Sequence, residues 1–178
     1  MKKLVGMAGF MAVACLASGA LAHDFFLMPS QFVHTQAGQL SLQASVGSSF
    51  PQPTTTVTPD RVEQIFVNGA GQPQLAIVGP GEKALNLQLS SGSDGTVVAG
   101  IKMLDRDVEY LEDRITLILE EYRVSPTALA ALERLAKPRI LKVSSRRFAK
   151  TMFCLRQCAN ADVAAQPMGV ALEFIAIG

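Results

Sequence analysis

The chain has 178 residues, with 16 Lys and Arg against 15 Asp and Glu and a formal net charge of +1. This length suits one domain with its own core, and the balanced charge gives no indication of a nucleic-acid or anionic-membrane partner. The chain has only two histidines and no G-x-S-x-G sequence. A hydrolase that uses a serine and a histidine base is therefore disfavoured.

The first 22 residues have the three parts of a secretory signal peptide. Two lysines form the basic start, an apolar stretch runs from Leu4 to Leu16, and Ala20-Leu21-Ala22 is a small-x-small cleavage site. The apolar stretch is short for a membrane span, so we predict export to the periplasm and cleavage after residue 22. The alternative is a lipoprotein, in which Ala12-Val13-Ala14-Cys15 is the lipobox and Cys15 is acylated.

Cleavage would leave 156 residues, and the loss of two lysines would change the net charge from +1 to −1. It would also make His23 the N-terminal residue, whose α-amine and imidazole Nδ1 can chelate one metal ion. Two nitrogen donors suit Cu(II) and Ni(II) better than Mg or Ca. The further candidate ligands are Asp24 and His34, the other histidine. A copper mono-oxygenase with a histidine brace would need His34 opposite the amine, which makes it a minor alternative.

The first half of the mature chain predicts short β-strands. Residues 39–47 alternate between apolar and polar, as in a strand with one buried face. Further apolar runs, separated by turns rich in glycine, proline and asparagine, are Val62 to Val67, Leu75 to Val78, Ala84 to Leu89 and Thr96 to Met103. Strands at this spacing indicate an antiparallel β-sandwich.

From about residue 107 to residue 138 the apolar period becomes helical. Leu111, Ile115 and Ile118 recur at helical spacing, with acidic residues on the other faces. Ser125-Pro126 predicts the N-cap and first position of a second helix, and Lys137-Pro138 predicts its end. We therefore expect a two-helix insertion that covers an edge or face of the sandwich.

The last part of the chain returns to a weaker strand pattern. Residues 146–155 alternate and favour a strand, and Val170, Leu172 and Phe174 predict a final strand. We interpret the basic residues in this region as a solvated face or as partners of the acidic first helix. They are Arg146, Arg147, Lys150 and Arg156.

Cys154 and Cys158 are the two cysteines that would remain after cleavage. A lone pair of thiols in an oxidising compartment favours a disulfide. Unpaired thiols and metal coordination are the alternatives, although a structural zinc site would need four ligands.

Several segments, taken in order, resemble a known family. They are His23-Asp24-Phe25-Phe26-Leu27-Met28-Pro29, Val46-Gly47-Ser48-Ser49-Phe50-Pro51, Pro59-Asp60-Arg61-Val62, Arg147-Phe148-Ala149-Lys150-Thr151 and Pro167-Met168-Gly169-Val170-Ala171-Leu172-Glu173-Phe174. Their order and spacing are similar to the DUF4198 family, which is linked to NikM-like periplasmic components of nickel and cobalt uptake. The resemblance implies a β-sandwich with a helical insertion, and metal binding in support of transport instead of catalysis.

The chain departs from that family in two respects. Family members usually continue past the segment that matches Gly169 to Phe174 into a second β-domain, so this chain is expected to correspond to the N-terminal portion. The family also usually lacks cysteines where Cys154 and Cys158 lie.

Together these observations predict a mainly β protein, with a signal peptide at 1–22 and a β-sandwich domain at 23–178 that carries a helical insertion at about 107–138. The expected function is that of a periplasmic, non-enzymatic accessory protein. It would bind Ni(II) or Co(II), with Cu(II) a further candidate, through His23 and pass the metal to membrane transporter components. The alternative is a metal-free envelope scaffold that contacts its partner through the insertion. No stable membrane span is expected.

Overall fold

The computed structural model describes residues 23–36, 38–159 and 161–175, with only the backbone at Glu121 and Ala161. The predicted signal peptide and the lipobox alternative lie outside the described residues. Two α-helices and eleven strands occur in the described part: β1 Asp24–Pro29, β2 Val33–His34, β3 Gly38–Gly47, β4 Thr55–Thr56, β5 Val62–Gly69, β6 Gln74–Pro80, β7 Leu85–Ser91, β8 Gly95–Met103, β9 Arg106–Leu111, α1 Glu112–Glu121, α2 Pro126–Glu133, β10 Ile140–Ser145 and β11 Phe148–Leu155. The predicted mainly β fold with two helices is confirmed.

The first sheet has the strand order β1-β3-β7-β6, and β4 pairs with β3. All its pairs are antiparallel. In β7, Leu85, Leu87 and Leu89 are almost fully buried, while the residues between them are more exposed. Alternate side chains of a strand point to opposite faces, so this period-two pattern gives the sheet one apolar face.

The second sheet has the order β2-β11-β8-β5, with β8 and β11 in its centre. The inner side chains of β8 meet the first sheet, and Val98 on its outer side is covered by Val163 and Ala164 of a short 3₁₀ helix. Because both of its faces are covered, β8 is buried along nearly its whole length. The predicted strand at 96–103 is confirmed.

The core lies between the apolar faces of the two sheets. Its members include Leu42, Leu87, Ile101 and Phe153, which are exposed by 2% or less. Complete burial of such a side chain contributes about 1.5–3 kcal/mol relative to an exposed one. The sandwich is therefore stabilised mainly by the apolar residues of β3, β7, β8 and β11.

The insertion leaves the sandwich between β8 and β11. The Met103 N–H donates to the Arg147 carbonyl at 3.0 Å, and the register then resumes with Arg106 opposite Ser145 in an antiparallel β9–β10 ribbon. This ribbon was not predicted from the sequence. In the sequence, α1 and α2 come between β9 and β10. The two paired strands therefore extend from the centre of the second sheet and carry the helices at their far end.

The helices of the insertion are fixed by local interactions. The Ser125 hydroxyl accepts a hydrogen bond from the Ala128 N–H at 3.3 Å, which confirms the predicted N-cap of α2. At the start of α1, Glu112 binds Arg139 beside β10, with Nε to Oε2 at 2.9 Å. Hydrogen bonds from the side chain and main chain of Arg139 lower the pKa of Glu112 to about 2. This pair attaches α1 to the ribbon.

The predicted final strand at Val170, Leu172 and Phe174 is wrong, because residues 170–175 belong to no strand. The Glu173 carboxylate accepts a hydrogen bond from the Met168 N–H at 2.8 Å and binds Lys150 Nζ at 2.6 Å, which folds the segment back on itself. Leu172 and Phe174 are 72% and 89% exposed. Apolar residues do alternate along 170–174, but the segment has no strand partner among the described residues.

Candidate functional site

A cavity of about 480 Å³ lies where the insertion joins the sandwich, and His23 is part of its wall. We call it the arginine cleft, after Arg61, Arg106 and Arg147. Its other lining residues are His23, Phe25, Val46, Thr55, Thr56, Val57, Met103, Leu104, Val108, Tyr110, Tyr122, Val143 and Ser145. A cavity of this size is in the range of small-molecule sites.

One wall of the cleft comes from the first sheet. β1 and β4 pair with opposite edges of β3, with Phe25 and Thr55 both opposite Val46, so the two strands flank the same end of β3. Phe25 packs against the core and His23 is exposed. The imidazole of His23 is thus accessible to a ligand in the cleft.

The opposite wall is one face of the ribbon. Arg106, Val108 and Tyr110 alternate along β9, and the register pairs Arg106 with Ser145 and Val108 with Val143. Residues opposite each other in an antiparallel pair share a face, so these side chains point the same way. The acidic residues of β9, Asp107 and Glu109, therefore point away from the cleft.

The structure does not bring the three predicted metal ligands together. Asp24 is the first residue of β1 and directly follows His23, so its side chain points to the opposite face of the sheet from Phe25, and Asp24 does not line the cleft. His34 pairs with Leu155 at the end of β11, whereas the cleft lies beside Arg147 at the start of that strand. An eight-residue strand separates its ends by roughly 23 Å.

His34 has the environment of a core residue. It is 6% exposed, and its ring contacts the edge of Phe153 with 5.9 Å between the ring centroids. Its Nε2 has no hydrogen-bond partner in the described part of the chain. The distance between them therefore excludes a metal coordination shell that contains both His34 and His23.

The two cysteines are joined to each other. Cys154 and Cys158 form a disulfide, with 5.0 Å between the Cα atoms, and it closes the turn that follows β11. The described residues contain no group of three or more His, Cys, Asp or Glu that could hold a metal ion. A metal at His23 would therefore take most of its ligands from outside the described chain.

The basic residues predicted to form one solvated face are divided by the structure. Arg146 pairs with Asp105, Lys150 with Glu173 and Arg156 with Asp94, so none of the three uses the acidic first helix. Arg147 differs from these three because it lines the cleft. Arg147 is exposed, as a solvated face predicts, and it also contributes to the wall of the cleft.

The cleft carries positive charge without an acidic side chain among its described lining residues. One guanidinium N–H of Arg61 donates to the Leu104 carbonyl at 3.0 Å, which fixes its position at the junction. The guanidinium groups of Arg106 and Arg147 have no hydrogen bond or ion pair with any described residue. A concave site with one sign of charge concentrates its field on the ligand, so the cleft attracts anions.

His23 could be identified from the sequence, whereas this group of arginines could not. The three arginines come from the 3₁₀ turn before β5, from β9 and from the link before β11, and only the tertiary structure brings them to one cavity. A local signal existed for the strand that presents Arg106, since residues 106–110 alternate between polar or charged residues and Val108 and Tyr110.

Comparisons with family models, with curated proteins and with solved structures found no match. The resemblance to the DUF4198 family therefore stays a prediction. Within the described residues, no helix has the length and apolar character needed to cross a bilayer.

Proposed function

We propose that this protein is an exported, non-enzymatic accessory protein that binds Ni(II) or Co(II), with Cu(II) as a further cargo, through mature His23. The proposal requires cleavage after Ala22, which gives His23 a free α-amine beside its imidazole. The observation that carries it is the exposed position of His23 in the wall of a cavity of about 480 Å³. The chelate would then face a space large enough for the remaining ligands of the ion.

A site with few protein ligands suits transfer better than storage. Two nitrogen donors leave several coordination positions of Ni(II) open, and small exchangeable ligands can fill them. Such a site releases its ion more readily than a closed shell of four protein ligands. The proposed partners are the membrane components of a metal-uptake transporter, which would receive the ion from the cleft.

The direct test is calorimetric titration with Ni(II), Co(II) and Cu(II) of a protein that begins at His23. We expect His23→Ala to weaken binding by tenfold or more, since it removes the imidazole arm of the chelate. N-terminal acetylation of the protein that begins at His23 keeps the imidazole but blocks the free amine, and it should cause a comparable loss. His34→Gln, checked for folding by circular dichroism, serves as the control and should leave the affinity unchanged.

Equal affinities in the protein that begins at His23 and in His23→Ala would reject the metal function. That result would leave the alternative of a metal-free envelope scaffold. The surface for such a role is the apolar groove between the helices and the ribbon, lined by residues such as Leu119, Leu132 and Leu141.

A further inference from the structure

We infer that the arginine cleft binds a small organic polycarboxylate, held by Arg61, Arg106 and Arg147. This anion site does not depend on the metal. Where the proposed function also holds, the carboxylate is the co-ligand of the ion at His23.

The arginine cleft has a net positive charge. Three arginines line one cavity, and no Asp or Glu is among its described lining residues. Arg146 is adjacent to Arg147 in the chain but is bound to Asp105, with 2.8 Å between Nε and Oδ2. Arg106 and Arg147 are exposed and lack such a partner among the described residues, so their charge is available to an anion that enters the cleft.

The hydrogen-bond donors of the cleft suit carboxylates. A guanidinium presents parallel N–H groups that match a carboxylate, and several of them can bind separate carboxylates of one molecule. Arg61 is held in place by the Leu104 carbonyl at 3.0 Å, and the Leu104 N–H donates back to the Arg61 carbonyl at 2.8 Å. The hydroxyls of Thr55 and Ser145 line the same cavity and add neutral donors.

The cavity is large and partly apolar. Phe25, Val46, Val57, Met103 and Val108 line the space between the polar groups. Inorganic phosphate or sulfate would fill only a small part of about 480 Å³ and would leave these side chains without contacts. A ligand with a carbon skeleton and two or three carboxylates matches both the arginines and the apolar surface.

A bound anion would also offset the repulsion between the three arginines and a metal ion at His23. Three arginines repel a bare divalent cation near His23, and no described carboxylate in the cleft offsets that repulsion. A polycarboxylate would neutralise the arginines and supply oxygen ligands to the positions that the His23 chelate leaves open. The cargo recognised by the cleft would then be an anionic metal complex.

The test uses citrate as the probe in metal-free buffer, with inorganic phosphate as a second probe. Calorimetry on the protein that begins at His23 should show saturable 1:1 binding of citrate, which weakens as NaCl is raised. Arg106→Gln and Arg147→Gln should each weaken citrate binding by roughly tenfold, since each removes one charged contact. Phosphate should bind at least tenfold more weakly than citrate.

Arg146→Gln is the matched control, because it removes the same charge from the neighbouring position outside the cleft. It should leave citrate affinity unchanged. Absence of citrate binding at millimolar concentration, or an equal loss in Arg146→Gln, would overturn the anion site. Phosphate that binds as tightly as citrate would reject an organic ligand.

The experiment also separates this inference from the proposed function. His23→Ala should change metal-free citrate affinity by less than about threefold, because the arginines supply the main contacts. Citrate binding without any effect of His23 on metal affinity would reject the metal function alone. Metal binding at His23 without citrate binding would reject the polycarboxylate alone.

Discussion

Glu112 is the residue whose charge matters most for the insertion. Its carboxylate joins the first turn of α1 to Arg139, where it accepts hydrogen bonds from Nε and from the main-chain N–H at 2.8 Å. These bonds lower its pKa from 4.5 to about 2. A carboxyl whose pKa is depressed by folding stabilises the folded state above its unfolded pKa, and this contribution is lost as the pH falls towards about 2.

We predict that Glu112→Gln removes this part of the pH dependence. The free energy of unfolding of the unchanged protein should fall between pH 4.5 and pH 2, and the variant should show a shallower fall. Urea unfolding at several pH values, followed by circular dichroism, measures the difference. Glu109→Gln is the control, because the Glu109–Lys142 pair is much more exposed and contributes little. Identical pH dependence in the unchanged protein and in Glu112→Gln would contradict the prediction.

At the scale of elements, the disulfide is the covalent support of the end of β11. It spans Cys154 to Cys158, and the main-chain N–H of Cys154 donates to the Phe32 carbonyl beside β2 at 2.9 Å. The Arg156 N–H donates to the His34 carbonyl at 2.6 Å, so the same turn also holds the buried histidine. Loss of the bridge should therefore loosen β2 as well as the turn.

We predict that the Cys154→Ser/Cys158→Ser protein is about 2 kcal/mol less stable than the oxidised protein, since the bridge closes a short loop. Urea unfolding with and without a reductant measures this difference. Reductant should destabilise the unchanged protein by a similar amount and leave the double variant unaffected. A double variant as stable as the oxidised protein would show that β2 and the turn hold without the bridge.

Elements that depend on local chemistry could be predicted from the sequence, and those that depend on distant partners could not. Ser125-Pro126 fixes the start of α2 through one side chain and one ring, and alternation fixes the faces of β3 and β7. Val170 to Phe174 has the same alternation, but its conformation is set by the contact of Glu173 with Lys150 and Met168. The ribbon was missed because β9 joins α1 without a turn residue, and the helical spacing of Ile115 and Ile118 dominated that region.

In the candidate site too, residues with a local sequence signal could be predicted, whereas residues brought together by the whole fold could not. His23 could be identified because its proposed role depends on the cleavage site next to it. Arg61, Arg106 and Arg147 could not, because they are separated by tens of residues and meet only where the second sheet extends into the ribbon. His34 was a candidate ligand because the chain has so few histidines, but the parallel pairing of β2 with β11 buries it at the far end of that strand.

If the charge of the cleft selects its ligand, reversing that charge should reverse the selection. In Arg106→Glu/Arg147→Glu, two carboxylates replace two cations that share a cavity with His23. Citrate binding should be lost, whereas Ni(II) without citrate should bind tenfold or more tightly than to the unchanged protein, because carboxylates attract and ligate the ion. The neutral variant Arg106→Gln/Arg147→Gln should lie between the two proteins for both ligands. Calorimetry on all three, with thermal unfolding to confirm folding, measures this order. Affinities for citrate and Ni(II) that change in the same direction across the series would contradict selection by charge.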